Sequence, residues 1–297
     1  MTSDAWAIDT RALTKRYGAF DAVHALDLKV ARNGVTGFLG RNGAGKSTTI
    51  KMLLGMTRPT SGTGHVVGHP IDDARESVEM RRRVAYVAED KQTYAYMTVA
   101  QMIRFTRSFY ADWQPDVERR LLAEYRLPPG RKVKTLSKGM RTKLALLLAL
   151  ARRPALLILD EPSEGLDPVS IEELLQALVG AAAGGTTIFF SSHQIGEVER
   201  IADRVCIIDR GTLVTDLSLD HMRRAYRRIT LGFDTDPPVV DFRVPGIEHV
   251  RTSGRQVNVF VTGNADAIVE EARRASPVSV DVSPVTLRDV FLERVQT

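Results

Sequence analysis

Cysteine is almost missing from this chain of 297 residues: Cys206 stands alone. No intrachain disulfide can form, which fits a reducing compartment. Long apolar runs are missing too. The longest, LALLLALA at 144–151, sits between Lys143 and Arg152. A membrane-crossing helix needs about 20 apolar residues, so any membrane role must come through a partner. The first thirty residues carry Asp4, Asp9, Arg11, Lys15 and Arg16 and no apolar block, so no signal peptide is expected. Internal repeats, low-complexity tracts and heptad runs are also lacking. Aromatics make up 6% of the chain, and the basic clusters RRR (81–83) and RRAYRR (223–228) lack regular aromatic interleaving. That argues against a single-strand nucleic-acid binder. A net charge of +5 leaves a solvated, mildly basic surface as the simplest reading. What remains, 43% hydrophobic and 26% charged, is the profile of an ordinary globular chain with ample core.

Against that plain background stands GRNGAGKST, residues 40–48. Gly40, Gly45, Lys46 and Ser47 complete the pattern G-x-x-x-x-G-K-[ST]. Chance supplies such a match in about one chain in a hundred of this length. The context narrows it further. GVTGFL before it reads as a short buried strand, and Ile50, Leu53 and Leu54 after it fall at helical spacing. Strand, glycine loop and helix form the setting that the phosphate loop requires. Glycines let the backbone wrap a phosphate and turn several N–H groups inward. The following helix adds its positive end. Lys46 would then reach the β- and γ-phosphates, and the Ser47 hydroxyl would ligate Mg²⁺.

A second segment, ALLILDEP at 155–162, is a continuous apolar run ending in Asp160 and Glu161. It reads as a parallel strand buried on both faces. Ligands of open α/β sheets lie beyond the carboxyl ends of their strands. Asp160 is placed to hold Mg²⁺ and Glu161 to act as general base on a water. A third apolar strand, TTIFFSS, ends at His193, which could be an ordinary exposed histidine or a sensor of the γ-phosphate. In LSKGM, Ser137 and Gly139 open a strongly helical run. Simple helix capping explains them locally, although such an N-terminus can also hold an anion.

The ordered set resembles the ATP-binding subunit of an ABC transporter, from Ala7 to Thr215. GRNGAGKST matches Walker A, including Asn42, Gly43, Ala44 and Thr48, and LLILDEP matches Walker B. LSKGM lies where the family has its LSGGQ signature, EGLD (164–167) matches the D-loop, and SSHQIGEVE carries the switch histidine. The resemblance implies that Tyr17, in LTKRYG, stacks on adenine. It also implies a head-to-tail dimer in which Ser137 and Gly139 close over the γ-phosphate held by the other chain.

Three departures from the pattern stand out. Glu89 replaces the usual Q-loop glutamine and joins the expected metal set of Ser47 and Asp160. Lys138 and Met140 replace signature glycine and glutamine. Glu164 stands where alanine or glycine is usual. VAED, LSKGM and ARRPALLILDEP together look like the ABC-2 exporter branch, specifically its Ytr-type subgroup. The resemblance therefore implies an ATPase using ATP and Mg²⁺. It would pair with itself or a paralogous subunit and dock on a separate transmembrane permease at the cytoplasmic face of the membrane. No nucleic acid is expected. The rival is a soluble ABC ATPase acting on ribosomes or DNA. Such relatives usually carry two nucleotide domains or a coiled-coil insertion, and this chain has one Walker A and no heptads.

The expected fold is α/β: a P-loop NTPase core with an antiparallel β subdomain and a helical subdomain, plus a small C-terminal α+β appendage. Residues 6–30 should form two antiparallel strands, and 92–151 the helical subdomain. VCIIDRGTLV should form a hairpin turning at Gly211, and Leu217–Arg228 a basic helix. The domains are expected at 1–228 and 229–297. The appendage shows no catalytic constellation and is expected to support dimerisation or regulation.

Overall fold

The structure, a computed structural model, describes residues 5–90 and 93–295. The expected helical stretch begins at residue 92, which lies outside the described residues, as does Asp4. The chain divides into two compact units, Met1–Asp216 and Leu217–Thr297.

The first unit opens with β1 (Trp6–Tyr17), β2 (Phe20–Leu26) and β3 (Lys29–Ala31). Two strands were expected here, and the second is broken. Ala25 sits at a φ of 44°, and the exposed Asp27 side chain accepts from the Ala12 N–H at 2.6 Å, so pairing resumes only at Lys29. With β5 (Ser61–Val66) and β6 (His69–Pro70) these strands make an antiparallel sheet. Between them lie β4 (Val35–Leu39) and α1 (Lys46–Leu53).

The core of the unit is a six-stranded sheet. Its order is β11 (Thr212–Ser218), β10 (Arg204–Asp209), β4, β9 (Thr187–Ser192), β8 (Leu156–Leu159) and β7 (Val84–Val87). From β10 to β7 every pairing is parallel. β8 and β9 are buried along their whole length, as continuous apolar runs in a doubly covered sheet should be. Phe38 and Phe189 pack with their ring centres 5.3 Å apart, tilted by 32°, in the core. Covering helices are α2 (Glu76–Arg83), α6 (Pro168–Ala183) and α7 (Ile195–Ile201). The helical region comprises α3 (Val99–Arg107), α4 (Pro115–Glu124) and α5 (Lys138–Leu150). Thr98 and Gln101 start α3 with a reciprocal capping box. Arg210 and Gly211, both at positive φ, turn the β10–β11 hairpin.

The unit boundary falls before Leu217, ahead of the division expected at 228–229. The expected long basic helix is only α8 (Leu219–Ala225), because β12 (Arg227–Gly232) begins at once and pairs on both sides. Tyr226, between them, packs edge-on to Phe260 in the second unit's own sheet. That sheet runs β13 (Ile247–Ser253), β14 (Gln256–Val261), β12 and β15 (Ser279–Pro284), all antiparallel. Its apolar face carries α9 (Ala265–Arg273) over a separate core around Ile229, Leu231, Val259 and Ile268. α10 (Leu287–Val295) lies against β12 and β13 through Arg228–Asp289, at 2.8 Å, and Arg251–Glu293, at 2.7 Å.

Candidate nucleotide site

The chain leaves β4 at Leu39 and wraps into α1 over six residues. Gly45 takes φ +110°, and a Cβ there would stand 2.6 Å from the Ala22 carbonyl oxygen. Gly40 is crowded in the same way, with a Cβ position 2.6 Å from the Ile208 oxygen. No side chain caps α1, and no acid occupies its first turn, so its first N–H groups face the loop. Ala44 is buried behind the loop, where its carbonyl accepts from Gly211 N–H at 2.9 Å.

Lys46 is buried, unusual for a lysine, and its ammonium lies against two carbonyls and a carboxylate. Nζ donates to the carbonyls of Gly40 at 2.7 Å and Arg41 at 3.2 Å, and meets Glu161 Oε1 at 3.0 Å. Glu161 is 6% exposed and stands two residues beyond the end of β8. Its other oxygen, Oε2, lies 2.9 Å from His193 Nδ1 and accepts the His193 N–H at 3.3 Å. His193 Nε2 in turn is 3.7 Å from Glu164 Oε2. A single buried carboxylate therefore joins the loop lysine to the histidine at the end of β9.

The brace behind this acidic pair is not visible in the sequence. Ser191 donates to Asp160 Oδ1 at 2.7 Å and accepts the Glu161 N–H at 2.9 Å, bracing both acids from the neighbouring strand. The signal was present in TTIFFSS: a serine at the end of a buried strand has few partners other than the acids beside it.

Asn42, Gly43, Gly45, Lys46, Ser47, Thr48, Glu89, Glu161 and His193 line one cavity of about 450 Å³. Ser47, Glu89 and Asp160 also line a neighbouring cleft between the strand ends and the helical region. Their donors are a hydroxyl and two carboxylates, all oxygen, a set that suits Mg²⁺. Tyr86 sits on the same cleft. Burial, then the charges of Asp160 and Glu89, push its phenol up to about 12.

Other expected site residues lie elsewhere. Tyr17 is exposed at the end of β1, with Lys15 Nζ 5.0 Å from its ring centre, and is not among the cavity's walls. Phe20, its partner across the turn, is. Ser137 and Gly139 begin α5 away from the cavity. Ser137 caps the helix by accepting Met140 N–H at 3.2 Å. Gly139 is buried so closely on Ser170 that a Cβ would stand 2.5 Å from its hydroxyl oxygen.

A parallel sheet whose strand ends present a glycine loop, a buried lysine and an acidic pair defines a nucleotide-hydrolysing P-loop protein. Comparison with known proteins narrows the class. Residues 23–164 match the family model described as ABC transporter. The bacitracin transport ATP-binding protein BcrA of Bacillus licheniformis is 36% identical over 224 residues, which is 74% of this chain and 72% of that protein. The daunorubicin resistance ATP-binding protein DrrA2 of Streptomyces coeruleorubidus is 31% identical, over 97% of this chain and 95% of that protein. The ABC transporter ATP-binding protein YtrB of Bacillus subtilis (strain 168) is 27% identical over 97% of each. A solved ATP-binding subunit of an ABC transporter superposes with a TM-score of 0.66 at 32% identity, covering 73% of this chain and 92% of that one. The chain belongs to the ATP-binding proteins of the ABC transporter family, and it is an ATPase of that family.

Proposed function

We propose that this chain hydrolyses ATP to drive a membrane exporter, closing as a head-to-tail dimer with a second copy or a paralogous subunit. The observation that carries the reading is the Lys46–Glu161–His193 chain of contacts beside the glycine loop. Ser137 is exposed at the start of α5, with Gly139 packed on Ser170 beside it, and neither lines its own cavity, which supports a segment that completes another chain's site.

The loop N–H groups of Gly43 to Thr48 and the ammonium of Lys46 hold the phosphates. Ser47, Asp160 and Glu89 would hold Mg²⁺, which supplies charge neutralisation on the transferred phosphoryl group. Glu161 takes the proton of the attacking water at its carboxylate. His193, oriented through Nδ1 by Glu161, contacts the γ-phosphate. Phe20 lies on the cavity wall and Tyr17 one turn away, and together they provide the aromatic surface for the base.

Motion reaches the permease through the segment Tyr94–Val99. Its rings support this: Tyr96, Tyr94, Phe105 and Phe109 form a row with centres 5.0–5.9 Å apart. Tyr94, Tyr96 and Phe109 are exposed, as aromatic anchors of an interface are before docking. Among the described residues no helix is long and apolar enough to cross a membrane, so the transport path belongs to a partner. The export direction is supported by the bacitracin transport and daunorubicin resistance relatives. The second unit supports the dimer, and removing residues 229–297 should weaken ATP-dependent association.

The test is purification of the tagged chain from its native membranes in mild detergent. A polytopic membrane protein in stoichiometric amount supports the reading. A ribosomal or DNA-bound partner with no membrane protein overturns it.

A further inference from the structure

A second buried acid lies behind the site. Glu197, on α7, is 6% exposed. Its Oε2 accepts from the Ser163 hydroxyl at 2.7 Å and the Ser192 hydroxyl at 3.2 Å. Ser163 stands two residues after Glu161, across Pro162, and Ser192 immediately precedes His193. The Ser192 hydroxyl oxygen also accepts the Gln194 N–H at 2.9 Å, which fixes the turn carrying His193. Burial pushes the Glu197 carboxyl up, and its Oε1 is buried with no hydrogen-bond partner among the described residues. A buried carboxyl with one oxygen unsatisfied costs folding free energy. Stability alone does not explain it.

The depth of Glu197 is set by packing. Val198, fully buried, presses on Gly37 of β4 so closely that a Cβ there would lie 2.4 Å from Val198 Cγ1. Only glycine allows α7 this approach, and Glu197 is carried in with it. Glu161 meanwhile holds φ at 44°, the left-handed region, which a residue other than glycine keeps only when its surroundings impose it. The Ser163–Glu197 bond fixes the chain just after that residue.

We propose that Glu197 is a positioning residue: by tying Ser163 to Ser192 it sets the spacing between the Glu161 carboxylate and the His193 ring. This rests on the reading of Glu161 and His193 as the hydrolytic pair. It assigns Glu197 to turnover more than to nucleotide binding, because its side-chain hydrogen bonds go to Ser163 and Ser192 and to no residue of the phosphate loop.

The experiment compares MgATP hydrolysis, equilibrium ATP binding and thermal melting for the full chain with Glu197→Ala, Glu197→Gln, Ser163→Ala and Glu161→Gln. A displacement of about 1 Å at reacting groups costs on the order of a hundredfold in rate. Glu197→Ala should lower kcat by about thirtyfold or more, with ATP affinity within about threefold of wild type. Glu197→Gln should keep at least about a third of kcat, since its amide oxygen can accept both hydroxyls. Ser163→Ala should lower kcat by about tenfold, and adding it to Glu197→Ala should cost little more, as expected within one network. Wild-type kcat in folded Glu197→Ala would overturn the proposal. So would equal losses in kcat and affinity that track the melting temperature. If Glu197→Ala does not fold, wild-type turnover in Ser163→Ala overturns it. Normal turnover in Glu161→Gln would remove the underlying reading as well. An inactive Glu161→Gln beside an active Glu197→Ala would overturn the Glu197 proposal alone.

Discussion

Replacing Glu161 with glutamine should tighten ATP binding while stopping turnover, and the size of the first effect follows from Lys46. Lys46 Nζ donates to two carbonyls and is ion-paired with Glu161 Oε1 at 3.0 Å. A phosphate oxygen must displace one of them. The carboxylate is the strongest competitor. At 3.0 Å and an effective dielectric of about 20, its attraction to the ammonium has a ceiling of about 5 kcal/mol. Desolvation of both groups reduces the net value of such a charged hydrogen bond to about 1.5–3 kcal/mol. Glutamine offers a neutral acceptor in the same place, roughly half as strong. The relief on exchanging carboxylate for amide is therefore about 1 kcal/mol, or about fivefold in the dissociation constant. Repulsion between Glu161 and the incoming phosphates acts in the same direction. Loss of the general base should lower turnover by about a hundredfold or more. Isothermal titration with ATP and a phosphate-release assay measure the two effects separately. Unchanged affinity would refute the competition at Lys46, and turnover near wild type would refute the role of Glu161.

Gly45→Ala should weaken ATP binding by about tenfold or more, since a left-handed non-glycine residue costs about 1–2 kcal/mol before the 2.6 Å contact with Ala22 is relieved. A fluorescent-nucleotide titration with unchanged affinity would contradict it. Glu89→Gln should raise the Mg²⁺ concentration for half-maximal hydrolysis by about threefold, as removal of one carboxylate from an oxygen donor set does. An unchanged midpoint would count against a metal role for Glu89. Cys206 is fully buried, and burial raises its thiol well above the ordinary value. It should react with an aromatic disulfide reagent roughly a hundredfold more slowly in native than in denatured protein, and comparable rates would place it at the surface.

Much of this site was legible because its residues are contiguous. Gly40 to Thr48 carries loop, lysine and helix start within one stretch, and the apolar run before Asp160 announces both the strand and the end at which its acids lie. The aromatic at the cavity wall was not legible. Tyr17 and Phe20 flank one tight turn, and only the turn's geometry decides which ring faces the loop. The braces were hidden by distance along the chain. Ser191 lies 31 residues from Asp160, and Ser163 lies 34 from Glu197, so the parallel strands and the α7 helix bring them together with no local pattern. The break between β2 and β3 also escaped an alternating pattern, because a hydrogen bond from the Ala12 N–H to the Asp27 carboxylate overrides it. The basic run 217–228 looked helical throughout, yet Arg227 and Arg228 are claimed by strand pairing on both sides.

The central claim is that ATP is enclosed by two chains, with the α5 N-terminus of each completing the other's site. The direct measurement is the solution mass of Glu161→Gln by light scattering, without nucleotide and at saturating MgATP. A mass of about 32.9 kDa is expected without nucleotide and twice that mass with ATP. A mass of one chain under both conditions would contradict it.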